Sequence, residues 1–93
     1  MMTPTVHLNG TSKEELYRNL DDAVTALFHA LTALHKAGPN GRDYYPQGPD
    51  ALTQAQAEHE SRITRIREVR RELYEMMETI IDADTTEPRT RFA

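Results

Sequence analysis

The chain has no cysteine and no tryptophan among its 93 residues. Without cysteine there is no disulfide to stabilise a small core, no thiolate metal ligand and no cysteine nucleophile. The composition is compatible with a reducing, cytoplasmic location, which we expect for this chain. A chain of this length forms one domain at most, and its core is marginal unless the helices pack very well or several chains associate.

Long apolar runs are also missing. No stretch approaches the roughly 20 apolar residues of a membrane span. The first residues, MMTPTVHLNG, have neither the basic region nor the apolar run of a signal peptide, so we expect none. Eleven Lys and Arg against fifteen Asp and Glu give a net charge of −4. Because duplex nucleic acid is bound by a basic face, we expect neither duplex nucleic acid nor a membrane as a partner.

The sequence lacks the common catalytic motifs. There is no HExxH, no ExxH pair of the kind used by carboxylate-bridged metal bundles, no GxGxxG, no P-loop and no GxSxG. The only serines are Ser12 and Ser61, and neither has an arguable base nearby. We therefore expect a protein that is not an enzyme, has no metal site and no cofactor, and acts by binding or as a structural element.

Two long stretches of the sequence favour helix. The predicted fold is all-α: an antiparallel helical hairpin with one helix at about 12–37 and the other at about 49–84. Residues 1–11 are expected to be an extended segment, and 1–84 to form a single domain. Residues 85–93 have no apolar period and contain a proline, which predicts a flexible tail.

The ends of the first helix carry recognisable capping residues. Thr11 with Glu14, or Ser12 with Glu15, fits a capping box at the start. Gly38 is placed to cap the other end in a left-handed conformation, and the proline that follows it prevents the helix from continuing.

The first helix is apolar over too wide an arc for a single partner helix. The arc without strong charge covers about 220°, whereas a surface helix that faces one partner needs about 100°. Beside the leucine stripe there is an aromatic flank and an alanine flank, composed of Tyr17, Val24, Phe28 and His35, and of Ala26, Ala30, Ala33 and Ala37. We therefore expect the chain to be a homo-oligomer that forms a helical bundle.

The second helix carries a heptad seam with polar positions. The seam residues are Leu52, Gln56, His59, Ile63, Ile66, Arg70, Leu73, Met77 and Ile80. Arg62 also projects onto the apolar arc, which leaves two interpretations open. Arg62 and Arg70 form a buried cationic site for an anion, or Arg62 and Arg65 pair with Asp21 and Asp22 of the first helix.

The connection between the helices, GPNGRDYYPQGPD at 38–50, is longer than a hairpin requires, which is about 2–5 residues. It holds three of the four glycines and three of the five prolines, which make it stiff. Arg42 offers a planar fork for phosphate or carboxylate, Tyr44 and Tyr45 offer stacking faces, and Gln47 can bind an amide or base edge. The candidate ligand-binding residues of this loop are Asn40, Arg42, Tyr44, Tyr45 and Gln47.

Three interpretations of the loop remain open. Either the tyrosines close the end of the bundle while Arg42 pairs with Asp43, or the loop binds a protein, or it binds a small nucleotide-like ligand. In a symmetric assembly the loop is expected to meet the first helix start of a neighbouring chain. That segment contributes three further candidate residues: Asn9, Thr11 and Lys13.

Two motifs, VHLNGTSKEEL and NGRDYYPQG, resemble a group of small proteins encoded by bacteriophages and prophages. The resemblance covers roughly residues 6–80 and assigns no role to individual residues. It implies an α-helical accessory protein made in the cytoplasm of a bacterial host.

In that setting the leading hypothesis is a sponge that sequesters a nucleotide-like immune signal through the loop. The alternatives are a protein-binding inhibitor or adaptor of a host defence factor, and a structural or virion-assembly module. The acidic net charge favours the inhibitor, whereas the arginine and tyrosines of the loop favour the sponge.

Overall fold

The computed structural model describes residues 1–83 of the chain. This part is all-helical and contains no strand, which confirms the predicted class. Helix α1 is Lys13–Lys36, the short helix α2 is Gly41–Tyr44 and is followed by a 3₁₀ turn at Tyr45–Gln47, and helix α3 is Ala51–Asp82. The segment predicted as a flexible tail lies outside the described residues.

Helix α1 begins at a serine cap. The Oγ atom of Ser12 accepts a hydrogen bond from the backbone N–H of Glu15 over 3.1 Å, and the carbonyl of Ser12 accepts from Leu16 N–H over 2.9 Å. The structure therefore selects Ser12 rather than Thr11 as the capping residue. Because a cap satisfies an N–H that has no partner inside the helix, it fixes where α1 starts.

Helix α1 does not end in the predicted left-handed cap. Gly48 is the only glycine of the described residues with a positive φ, so the prediction for Gly38 is wrong. Instead the last turn tightens: Ala37 N–H donates to Leu34 O over 3.0 Å, and Gly38 N–H donates to His35 O over 3.3 Å. These bonds of three-residue spacing satisfy the terminal carbonyls, and a left-handed residue is not needed.

The chain divides into two compact units, and both long helices contribute to each of them. The first unit contains residues 1–25 and α3 from Arg71 onward. The buried apolar side chains of this unit are Val6, Val24, Met77 and Ile80. Lys13 joins its two parts, because its Nζ atom donates to the backbone carbonyl of Ala83 over 2.9 Å.

The second unit contains residues 26–70. Its core includes Leu31, Ile63 and the ring of His59, whose Nε2 atom donates to the carbonyl of Leu34 over 2.7 Å. The buried residues of α3 all lie on the predicted heptad seam, and they are His59, Ile63, Met77 and Ile80. Gln56, another predicted seam member, is exposed.

The arginines of α3 do not make the predicted ion pairs. The nearest carboxylate to Arg62 is that of Glu58 in the same helix, at 4.0 Å, and Nε of Arg65 donates to the carbonyl of Ser61 over 3.2 Å. The side chain of Arg62 is 52% exposed, so it is not the buried cation that one interpretation required. Arg70 instead lies over the ring of Phe28, with 5.4 Å from its guanidinium carbon to the ring centroid.

The register of α1 against α3 explains this correction. Leu34, rather than Asp21 or Asp22, is the α1 residue that lines a hollow with Arg62 and Arg65. His59 also donates to the carbonyl of Leu34, so Leu34 rather than an acid of α1 faces this part of α3.

Candidate functional site

The loop between α1 and α3 is folded rather than irregular. The side chain of Asn40 caps α2, since its Oδ1 accepts from the backbone N–H of Arg42 over 2.9 Å. The carbonyl of Asn40 accepts from Asp43 N–H over 3.0 Å, and the carbonyl of Tyr45 accepts from Gly48 N–H over 3.3 Å. Gly48 then reverses the chain with φ 114° and ψ 169°, a conformation that is essentially restricted to glycine. These bonds fix the loop backbone.

Three predicted site residues point their side chains into solvent from this fixed backbone. Arg42 and Gln47 are exposed, and Tyr45 is 77% exposed. Within residues 1–83 their side chains make no hydrogen bond and no ion pair, and Arg42 does not pair with Asp43. The interpretation that Arg42 is held by its neighbour is therefore wrong.

Tyr44 and Asn40 have different environments from the exposed residues. Tyr44 is half-buried, so of the two tyrosines it is the one that helps to close the fold. The Oδ1 atom of Asn40 is engaged in the α2 cap, so its contribution is to hold the loop in shape.

Arg42 and Tyr45 are three residues apart on a largely helical stretch of the loop, a spacing that brings side chains to the same side. Residues 41–47 run from α2 directly into the 3₁₀ turn, and Tyr45 itself has helical φ and ψ of −59° and −30°. Side chains three residues apart on a helical backbone are neighbours. A guanidinium next to an exposed aromatic ring can bind a phosphate or carboxylate in bidentate fashion while a flat ring stacks on the tyrosine.

The three other predicted site residues belong to the first unit. Asn9 and Thr11 are exposed, whereas Lys13 is half-buried and its ammonium group is engaged with the carbonyl of Ala83. The loop belongs to the second unit. That a neighbouring chain brings these residues to the loop stays a prediction.

Two hollows of the first unit were missed by the sequence reasoning. One, of about 380 Å³, is lined by Tyr17, Tyr74, Met77, Glu78, Ile81 and Asp82. The other, of about 420 Å³, is lined by Lys13, Glu14, Tyr17, Arg18, Asp21 and Ile81. The sequence feature that could have indicated these hollows is the pair Tyr74 and Ile81, which lie one residue beyond seam positions. In the structure these side chains are 44% and 51% exposed.

Three of the four histidines, His29, His35 and His59, make backbone or ring contacts. Nδ1 of His35 lies 2.8 Å from the carbonyl of Leu31, and the ring of His29 meets Phe28 edge-on, with 5.7 Å between ring centroids. Within residues 1–83, no group of three or more His, Cys, Asp or Glu side chains is placed to hold a metal ion. In the same residues, no helix combines the length and apolar character needed to cross a membrane.

Comparison with known proteins finds no match to a family model, to a curated protein or to a solved structure.

Proposed function

We propose that this chain is a non-enzymatic binding protein that sequesters a nucleotide-like signal through the loop at 40–47. The observation that carries the proposal is the pair Arg42 and Tyr45, two exposed side chains three residues apart in the folded loop that have no partner within residues 1–83. An anionic, ring-bearing ligand uses both groups at once.

A rigid loop favours tight binding. The backbone hydrogen bonds around Asn40 and Gly48 hold the loop in one conformation, so little backbone entropy is lost when a ligand binds. The guanidinium of Arg42 also provides a local positive charge on a chain whose net charge is −4. This local charge favours an anionic small molecule over duplex nucleic acid, which needs an extended basic face.

The protein is further proposed to act as a homo-oligomer of antiparallel helical hairpins in the cytoplasm of a bacterial host. Phe28 is 51% exposed on one flank of α1. On another flank the exposed small residues are Ala26, Ala30, Ala33 and Ala37. Exposed apolar surface of this kind is removed from water when chains associate.

A host protein is the second candidate ligand. Tyr45 is 77% exposed, and tyrosine and arginine are enriched in the residues that dominate protein–protein binding energy. A protein inhibitor would use the same loop and leave small anions unbound, so one experiment separates the two candidates.

Calorimetric titration with cyclic dinucleotides and cyclic ADP-ribose isomers tests the proposal. Arg42→Ala and Tyr45→Ala are each expected to weaken binding by about 10-fold or more, because a charge-assisted hydrogen bond or a stacked ring is lost. Lys36→Ala is the matched control, since it removes an exposed positive charge at the end of α1 and is expected to bind as the wild type does.

The outcomes of this titration are distinct. Equal binding by all variants, or loss of binding in proportion to lost helicity, would contradict the loop as the site. If no nucleotide binds, the sponge is wrong, and capture of a host defence protein that depends on Arg42 and Tyr45 would then support the inhibitor.

A further inference from the structure

Helix α3 carries a second stripe, one residue along from its buried seam. Its residues are separated alternately by three and four positions, as in a heptad seam, and all are exposed. This outer seam consists of Thr64, Arg67, Arg71, Tyr74, Glu78 and Ile81. Tyr74 and Ile81 are 44% and 51% exposed, although both are large apolar or aromatic side chains.

The outer seam is symmetric about the point midway between Arg71 and Tyr74. Read in either direction from that point, its residues recur at the same intervals. Two antiparallel copies of α3 related by a twofold axis would therefore bring seam residues into facing pairs, each formed twice. The facing pairs are Arg67 with Glu78, Arg71 with Tyr74, and Thr64 with Ile81.

We propose that a second copy of this chain docks on the outer seam, with the two α3 helices antiparallel. The inference rests on the proposed self-association and adds an interface on α3 to the flanks of α1 that were proposed for it. Arg67 and Glu78 make no ion pair within residues 1–83, so each is available to the other across the twofold axis.

The charges of the seam select the antiparallel orientation. A parallel pairing would set Arg67 against Arg67 and Glu78 against Glu78, and like charges that face each other are destabilising. The antiparallel pairing replaces both repulsions with attractions. Arg71, which pairs with Glu75 in its own helix, then lies against an aromatic ring of the second copy.

The hollow of about 380 Å³ in the first unit lies along the same seam. Tyr74, Glu78 and Ile81 are among its lining residues. A second α3 on the outer seam would cover this hollow and remove the exposed surfaces of Tyr74 and Ile81 from water. A second copy of α3 therefore fits the outer seam in its charges, its register and its apolar residues.

Cysteine cross-linking tests the register directly, because the natural chain has no cysteine. In the double variant Arg67→Cys with Glu78→Cys, the two positions are eleven residues apart in one helix. They are separated by about 16 Å and cannot form a disulfide within the chain, which requires Cα atoms within about 7 Å. Oxidation is expected to give a dimer linked twice, seen in non-reducing gels and by mass spectrometry.

The matched control is Ser61→Cys with Glu72→Cys. These exposed positions have the same separation but lie about 120° around α3 from the outer seam. They are expected to stay uncross-linked. Equal cross-linking of both double variants, or none in the first, would overturn the proposed interface.

A charge exchange provides an independent measurement in sedimentation or light scattering. Arg67→Glu and Glu78→Arg are each expected to raise the dimer dissociation constant by about 10-fold or more, because like charges then face each other twice. The variant with both substitutions restores opposite charges and is expected to associate as the wild type does.

The measurements separate the interface from the proposed function. If the wild type associates but neither cross-linking nor charge exchange behaves as expected, the outer seam is wrong and self-association stands. If the wild type is a monomer, the self-association and the seam are both wrong. Nucleotide binding by the loop is decided by its own titration.

Discussion

The buried ring of His59 joins the two helices of the second unit. Its Nε2 atom lies 2.7 Å from the carbonyl oxygen of Leu34, and because a carbonyl only accepts, that nitrogen carries the proton. Leu34 lies in the last turn of α1, and its carbonyl accepts from Ala37 N–H as well as from His59. The histidine therefore has a structural role, and its ring is not available as a metal ligand through Nε2.

Substitution of His59 measures this role. His59→Leu is expected to lower the free energy of unfolding by about 1–2 kcal/mol, because the buried hydrogen bond is lost. His59→Gln keeps a donor and is expected to lose less. Urea denaturation followed by circular dichroism checks both variants, and a His59→Leu variant as stable as the wild type would show that the bond contributes nothing.

Val24 and Phe28 show that the helical pattern of the sequence does not predict the burial of every single residue. Both lie on the flank of α1 that the pattern assigns to a neighbouring chain, yet Val24 is 2% exposed and Phe28 is 51% exposed. The helical pattern places the two side chains only about 40° apart around the helix. Such a small angle decides burial at the edge of an apolar face, and it depends on the packing of the partner helix, which the pattern does not contain.

The backbone conformation of the loop between α1 and α3 depends on one glycine, Gly48. Gly48 has φ 114°, where a side chain is strained, although no atom of residues 1–83 lies within 4 Å of the position its Cβ would occupy. Gly41 is a matched control, because it lies in α2 and an added Cβ there would meet Leu52 Cδ2 at 3.6 Å, an ordinary contact.

Alanine substitutions separate these two glycines. Gly48→Ala is expected to cost about 1–3 kcal/mol of stability through backbone strain, and Gly41→Ala is expected to cost much less. Thermal unfolding of the two variants is the measurement. Equal melting temperatures would mean that the loop relaxes without cost, and the description of a fixed recognition loop would be wrong.

The two long helices could be predicted from the sequence and the folded loop could not. Apolar periodicity extends over many turns in α1 and α3, so their positions follow from the pattern. Helix α2 has four residues, and its cap is a single side-chain bond from Asn40. So short an element has no period to detect.

Self-association of the whole chain can be tested because Phe28 is exposed on the proposed contact flank while Val24 beside it is buried. Phe28→Glu places a carboxylate on an exposed site beside Arg70, so the chain is expected to stay helical while the oligomer weakens. Val24→Glu places one in the core and is expected to unfold the chain, because an unpaired buried charge costs several kcal/mol.

Size-exclusion chromatography with light scattering and circular dichroism distinguishes the two variants. A lower mass with unchanged helicity is expected for Phe28→Glu, and lost helicity for Val24→Glu. If Phe28→Glu keeps the wild-type mass, the aromatic flank does not take part in assembly.

For the candidate site, the sequence indicates the residues but not the ligand. Arg42 and Tyr45 could be selected because arginine and tyrosine in a stiff loop are typical of recognition. The ligand could not be selected, since a guanidinium and a phenol ring bind many anions and many proteins. The hollows beside Tyr17 arise from two segments distant in sequence, so the positions of Tyr74 and Ile81 could mark the α3 side of them but not the segment that faces it.

Native mass spectrometry of the wild-type protein tests the central claim most directly, because it reports subunit number and bound small molecules together. The protein is purified from phage-infected bacterial cells and also mixed with cyclic dinucleotides at micromolar concentration. We expect an oligomer that carries nucleotide mass, and the same oligomer without that mass for Arg42→Ala. A bare wild-type monomer under both conditions would contradict it.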